Sequence, residues 1–180
     1  MIALILFLGL SFFLSPITFY GWAISTFGEK PPKPTITLAE FPFEIVYTVN
    51  DEVFTIKDTY VCEFDGYTVS GSDLKNVRSW KGFVKSTGEA YITVLEGGTR
   101  GEEDAWRVFL SVGSPMYYMN DPTYQQSGAP LPQWHVDGIS KWGEEYTSYS
   151  HSHIFVQKDG GFHLKIVSHQ FSEPIENTFE

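Results

Sequence analysis

Between Met1 and Gly28 the chain carries no Asp, Glu, Lys, Arg or His, and its first charge is Glu29. The apolar core of this stretch runs from Ile2 to Leu10 and continues through Phe12, Phe13 and Leu14. A helix rises about 1.5 Å per residue, so roughly 20 such residues cross a hydrocarbon layer. The run therefore reads as a membrane-directed segment, and two readings of it stand. A cleaved signal peptide would end near Gly21-Trp22-Ala23, after the helix-breaking Pro16. An uncleaved anchor would continue to Phe27, with Phe19, Tyr20 and Trp22 as an interfacial aromatic belt. Pro16 is compatible with a spanning helix, because kinks are tolerated in lipid. Lys30 and Lys33 follow the run and no Lys or Arg precedes it. By the positive-inside rule that distribution leans toward the opposite orientation.

The expected organisation has three parts: a transmembrane anchor or signal peptide over 1–28, a Pro-rich stem over 29–34, and a single extracytoplasmic β-rich domain over 35–180. The stem, Glu29-Lys30-Pro31-Pro32-Lys33-Pro34, is expected to be an extended spacer of about 3 Å per residue. The remaining domain is long enough to bury a core without covalent staples. It would have to, because Cys62 is the only cysteine and no intrachain disulfide can form. A disulfide-free extracytoplasmic domain fits a bacterial cell surface better than a eukaryotic secretory route. With 22 acidic against 12 basic residues the formal charge is −10, which argues against nucleic acid as a partner. The same charge would keep the domain off anionic lipid headgroups.

The aromatic share of 17% and the β-branched runs predict strands. Phe43 to Val49 and Val53 to Ile56 flank the turn residues Asn50-Asp51-Glu52 and read as a hairpin. The second strand is expected to reach the turn dipeptide Asp65-Gly66. Further strands are expected at Val77 to Val84, Ala90 to Leu95 and Trp106 to Val112, and a helical turn after Ser114-Pro115. The acidic stretch Glu102-Glu103-Asp104 lacks the alternate spacing of a calcium loop and reads as a solvated hairpin tip. Ile139 to Tyr149 stays open between helix and strand. Cys62, with Val61 and Phe64 nearby, reads as a buried, inert thiol. The fold class expected is mainly β: an antiparallel β-sandwich or strongly bent sheet of about seven or eight strands. One or two short helices complete it, preceded by an N-terminal hydrophobic helix.

The phrases Glu40-Phe41-Pro42-Phe43, Cys62-Glu63-Phe64-Asp65-Gly66 and Pro174-Ile175-Glu176-Asn177-Thr178-Phe179 resemble those of small N-terminally anchored proteins of Gram-positive bacteria. The likeness covers the two ends of the domain. It implies a location at the cell membrane and brings no catalytic or binding role with it.

Two sets of residues are candidates for chemistry. The first is the terminal hairpin, Ser150 to Gln157 with Phe162 to His169. A three-residue loop, Asp159 to Gly161, pairs Ile154 with Ile166, His151 with His169 and His153 with Val167. Directly opposed Cβ atoms lie about 5 Å apart, so His151, His153 and His169, with His163 further along, would share one face. Three imidazoles in that arrangement could hold zinc, at about 2.0–2.1 Å per nitrogen. A plain polar strand face and a pH-responsive cluster are the competing readings. The second set is Trp80, Trp106, Trp134 and Trp142, which could stack on a sugar if at least two rings were exposed and coplanar. No H-E-x-x-H, G-x-S-x-G or P-loop pattern occurs. The expected function is therefore a non-enzymatic, membrane-tethered module that binds a protein or cell-wall partner. A carbohydrate-binding module and a zinc-dependent hydrolase are its rivals, and no cofactor other than zinc is implied.

Overall fold

The computed structural model describes residues 16–71, 73–98, 106–124, 130–138, 148–150, 153–156 and 161–180. Within them the chain is mainly β, with a curled antiparallel sheet and two short helices. In order the elements are α1 (Pro16–Phe27), β1 (Leu38–Val49), β2 (Glu52–Val69), β3 (Asn76–Val84), β4 (Ile92–Gly97) and β5 (Trp106–Ser111). They are followed by α2 (Pro115–Tyr118), β6 (Gln133–Gly138), β7 (Ser148–Ser150), β8 (His153–Val156) and β9 (Phe162–Phe171). One sheet has the order β3-β2-β1-β9-β8 and the other β4-β5-β6-β7. Among the described residues no helix is long and apolar enough to cross a membrane.

The chain divides into two compact units. The larger comprises 36–63 and 81–177 and contains the apolar core. On β1 the alternation of period two is plain: Phe41, Phe43, Ile45 and Tyr47 are buried while Glu40 and Pro42 face water. The β1–β2 turn is Asn50-Asp51, closed by the Val49–Glu52 pair, with φ of 49° and 68°. Positive φ at both central residues matches the right-handed strand twist, and Asn and Asp tolerate it best after Gly. Pro42 has no N–H to give, and the β1–β9 ladder stops beside it at Phe43–Phe171. The Ser172 hydroxyl donates to the Pro42 carbonyl at 2.7 Å.

In the second sheet Trp106, Val108 and Leu110 of β5 are buried and lie opposite Gly138, Val136 and Trp134 of β6. Rings from the two sheets meet in the core: Trp134 stands edge-on to Tyr47 at 5.7 Å, and Trp106 lies 5.8 Å from Phe162. Tyr118, on α2, is the hub, 4.8 Å from Phe41 and 5.5 Å from Tyr60, with its hydroxyl donating to the Val112 carbonyl at 2.8 Å. Ser114 caps α2 by accepting from the Met116 N–H, and Pro115 follows it at the first helical position. A Cβ at Gly82 would collide with the Tyr60 hydroxyl, so only glycine lets that ring lie across β3.

The smaller unit comprises 1–35, 64–80 and 178–180. Among its described residues two polar side chains are buried, Asn76 and Arg78. Asn76 donates to the carbonyls of Ile24, Gly28 and Glu29 at 2.9, 3.1 and 3.3 Å. The Ile24 carbonyl also accepts from the Gly28 N–H at 2.8 Å, so Asn76 binds the closing turn of α1 and the two residues just past it. Arg78 donates to the Pro32 carbonyl at 3.1 Å, and its guanidinium lies 4.5 Å from the Phe179 ring centroid. Lys33 and Glu180 exchange backbone hydrogen bonds at 2.7 and 2.9 Å, and Pro34 bridges Phe179. The proline segment is thus fastened along its length to β3 and to the C-terminus.

Three local expectations are corrected. Asp65-Gly66 is not a turn: β2 runs on to Val69, and Gly66 takes φ +87° inside the strand, a kink that needs no reversal. The reversal comes at Ser70 to Lys75, where the Ser70 N–H donates to the Lys75 carbonyl at 2.8 Å. The terminal hairpin pairs Ile154 with Leu164 and Val156 with Phe162, two residues away from the expected register. Ile154 and Leu164 are both buried, because a shift of two preserves the side-chain alternation. The expected strand through 150–157 is also divided, since β7 pairs with β6 and β8 with β9. Residues 139–147 and the acidic tip at 102–104 lie outside the described residues.

Candidate functional site

The histidines are placed by the β9 ladders. His153 lies opposite Lys165, and His163 opposite Phe155, so His153 and His163 share a face with ring centroids 6.3 Å apart. His163 is tied to the β1–β2 turn: its N–H donates to Asn50 Oδ1 at 2.8 Å, and its carbonyl accepts from the Asn50 N–H at 2.9 Å. His169 takes the other face. It pairs with Ile45, whereas Tyr47 pairs with Ile166, so a bulge inserts one residue between them. Ile45 and Tyr47 share a face, hence His169 and Ile166 do too, and His163 points the opposite way. His169 packs instead against Phe171 at 5.3 Å. His151 lies outside the described residues. The arrangement brings two imidazoles together, half the ligand count of a tetrahedral zinc site. Among the described residues no three His, Cys, Asp or Glu converge on a metal position.

The tryptophans divide by burial. Trp134 is 0% exposed and Trp106 7%, both in the core between the sheets. Trp80 is half-buried and edge-on to Phe64 at 5.4 Å. Trp142 lies outside the described residues. Stacking on a sugar needs a ring face open to solvent, which Trp106 and Trp134 do not offer. Cys62 is fully buried, and burial pushes its thiol up to about 12, where it is a neutral packing group.

The sequence reading missed the outward face of the second sheet. Alternation along β5 and β6 places Arg107 and Phe109 beside Asp137 and His135 on the face opposite the core. Phe109 and His135 stack at 4.9 Å with an interplanar angle of 7°. Tyr91 covers them at 4.7 and 5.8 Å and is itself 45% exposed. Arg107 lies 5.1 Å from the Phe109 centroid and donates to Asp137 at 2.9 Å. Desolvation lowers the His135 pKa, against a smaller upward pull from Asp137. The result is one exposed aromatic ring on an aromatic bed, flanked by an ion pair. The signal was readable as Arg-x-Phe and His-x-Asp at strand spacing, a polar-aromatic face where a bare solvent face would be charged and flexible.

A shallow groove of about 530 Å³ crosses β2, β1 and β9, lined by Pro42, Glu44, Lys57, Asp58, Thr59 and Gln170 among others. Lys57 pairs with Glu44 across it at 2.9 Å, and Asp58 is hydrogen-bonded to Ser86. The Ser172 hydroxyl, also on its wall, is taken by the Pro42 carbonyl.

Fold and site geometry together describe a mainly β, curled antiparallel chain with an exposed aromatic platform and a fastened proline segment. Comparison with profiles of protein families, with curated proteins and with solved structures finds no match.

Proposed function

We propose that this is a non-enzymatic, membrane-tethered binding module. Its uncharged N-terminal segment holds it at the cell membrane, and its acidic unit, a β-sandwich, stands outside to meet a protein or cell-wall partner. The observation that carries the reading is the fastening of α1. The chain that follows fifteen uncharged residues runs into a helix whose Ile24 carbonyl, with those of Gly28 and Glu29 just past its end, is bound by a buried Asn76, and whose proline exit is bound by a buried Arg78. A cleaved leader has no need of such a joint, whereas a permanent anchor gains a fixed connection to its cargo. The test is to express the full chain with a C-terminal reporter active only outside the cytoplasm, and to extract membranes with alkaline carbonate. Reporter activity with the protein retained in the pellet supports the reading. A carbonate-soluble, cytosolic protein sinks it.

A carbohydrate partner is the second reading, favoured by one observation: Tyr91 presents an open ring beside the Arg107–Asp137 pair. Ring stacking combined with charged hydrogen-bonding groups suits the apolar face and hydroxyls of a sugar. Binding to a cell-wall glycan array that disappears in Tyr91→Ala would support it, and unchanged binding would remove Tyr91 from the site.

A further inference from the structure

The acidity of this protein is confined to one of its units. The smaller unit carries Glu29, Asp65, Asp73 and Glu180 against Lys30, Lys33, Lys75 and Arg78, so it is neutral. The remaining eighteen acidic and eight basic residues, and with them the whole charge of −10, belong to the larger unit. Large apolar side chains lie open near one helix end of the neutral unit, as Leu38, Val53 and Val167 do singly on the larger one. Trp22 is 47% exposed, Phe27 78% and Leu74 53%. Trp22 and Phe27 are on the last turns of α1 and pack edge-on at 5.8 Å. Leu74 is in the β2–β3 turn, two residues before the Asn76 that binds the carbonyls of Ile24, Gly28 and Glu29. That bond carries the turn to the end of the helix. Leu74 is also in the left-handed region, at φ 50°. A leucine there is sterically disfavoured where Gly or Asn would be relaxed. A strained, exposed leucine carries a cost in stability that its own contacts do not offset, which points to use by a partner.

We propose that the neutral unit seats directly on the bilayer, with Trp22, Phe27 and Leu74 entering the lipid headgroup layer. The proposal rests on the anchored reading and adds a second contact to it. The dimensions agree. From Trp22 to Phe27 the helix advances about 7.5 Å, similar to the ~5–8 Å of headgroup region on each side of the hydrocarbon. The first charges, Glu29 and Lys30, stand just beyond Phe27, and Lys30 is held 5.5 Å over the Tyr67 ring. Aromatic rings followed by a cation are the ordinary furniture of that layer. Neutrality matters as well, since anionic lipid attracts basic surfaces and repels acidic ones. The partner is thus a phospholipid surface, and the apolar stretch that leads into α1 delivers the unit to it.

The experiment is site-directed spin labelling of the full chain in vesicles of phosphatidylcholine and phosphatidylglycerol. Cys62 is buried and unreactive, so a nitroxide attaches to an introduced Leu74→Cys alone. A separate Lys165→Cys chain, exposed on β9, serves as reference. Seating predicts an oxygen-to-nickel-chelate collision ratio several-fold higher at position 74 than at 165. A vesicle-bound protein with equal ratios at both positions overturns the proposal while the anchor stands. A protein left in the supernatant overturns the proposal and the anchored reading together.

Discussion

Asn76 and Arg78 are the buried polar residues of the smaller unit among those described. Each is placed by the alternation of β3, whose inward positions 76, 78, 80, 82 and 84 turn from polar to apolar along the strand. A buried amide stays only where it is hydrogen-bonded, and Asn76 has three carbonyls in reach. Asn76→Ala would leave helix-end carbonyls without that donor, at a cost of about 1–3 kcal/mol. A urea midpoint lowered with an unchanged slope would show it; an unmoved midpoint would mean that water replaces the amide. His135 permits a separate test. Its pKa is lowered by desolvation, so the unfolded chain binds the proton more readily than the folded one. Stability from this group is complete above the unfolded value, near 6.5, and is lost as pH falls through the folded value. His135→Phe keeps a ring beside Phe109 and removes the titration. The variant should lose less stability than the parent between pH 7 and mildly acidic conditions, as read by thermal melts across that range.

At the scale of elements, the hairpins were legible because their chemistry is local. Phe43 to Val49 alternates, Asn50-Asp51 supplies the positive φ, and β1 with β2 follows. Ser114-Pro115 likewise marked a helical turn from two residues. What was not legible depends on partners distant in sequence. The bulge that sends His169 to the other face forms because β9 pairs with β1, more than a hundred residues earlier. Nothing in Phe162 to Phe171 itself announces it. The divided run 148–156 has the same origin, since β7 is taken by β6 before β8 reaches β9. Gly66 misled because Asp-Gly serves both a reversal and a kink, and only the continuing ladder decides between them. The turn also yields a prediction. Asp51 holds φ 68°, a region that costs an ordinary L-residue about 1–2 kcal/mol and aspartate less. Asp51→Gly completes the favoured Asn-Gly pair and should raise stability by up to about 1 kcal/mol. A raised melting temperature checks it, and a fall would mean that the turn strains no residue.

Across the whole molecule, charge is distributed unevenly enough to set how stability responds to salt. The surface ion pairs seen among the described residues, Lys57–Glu44, Lys85–Glu40 and Arg107–Asp137, are screened as ionic strength rises. Exposed pairs of this kind contribute about 0–1 kcal/mol each. Against them stands an excess of ten carboxylates in the larger unit, all of like sign and spread over one compact body. Self-repulsion of that kind acts between many pairs at once and favours the expanded chain. At low ionic strength a Debye length of about 30 Å lets every carboxylate in the unit repel the others, whereas at 0.15 M it is about 8 Å and only near neighbours count. Repulsion over many long separations is therefore relieved more than these close pairs are weakened. The melting temperature should rise on going from a few millimolar salt to about 0.15 M sodium chloride. The rise should be smaller in a chain with Glu52→Gln and Glu89→Gln, both exposed residues of the acidic unit for which no ion pair is seen among the described residues. A melting temperature that falls with salt in the parent chain would show that the ion pairs dominate, and that the acidic excess is too dispersed to strain the fold.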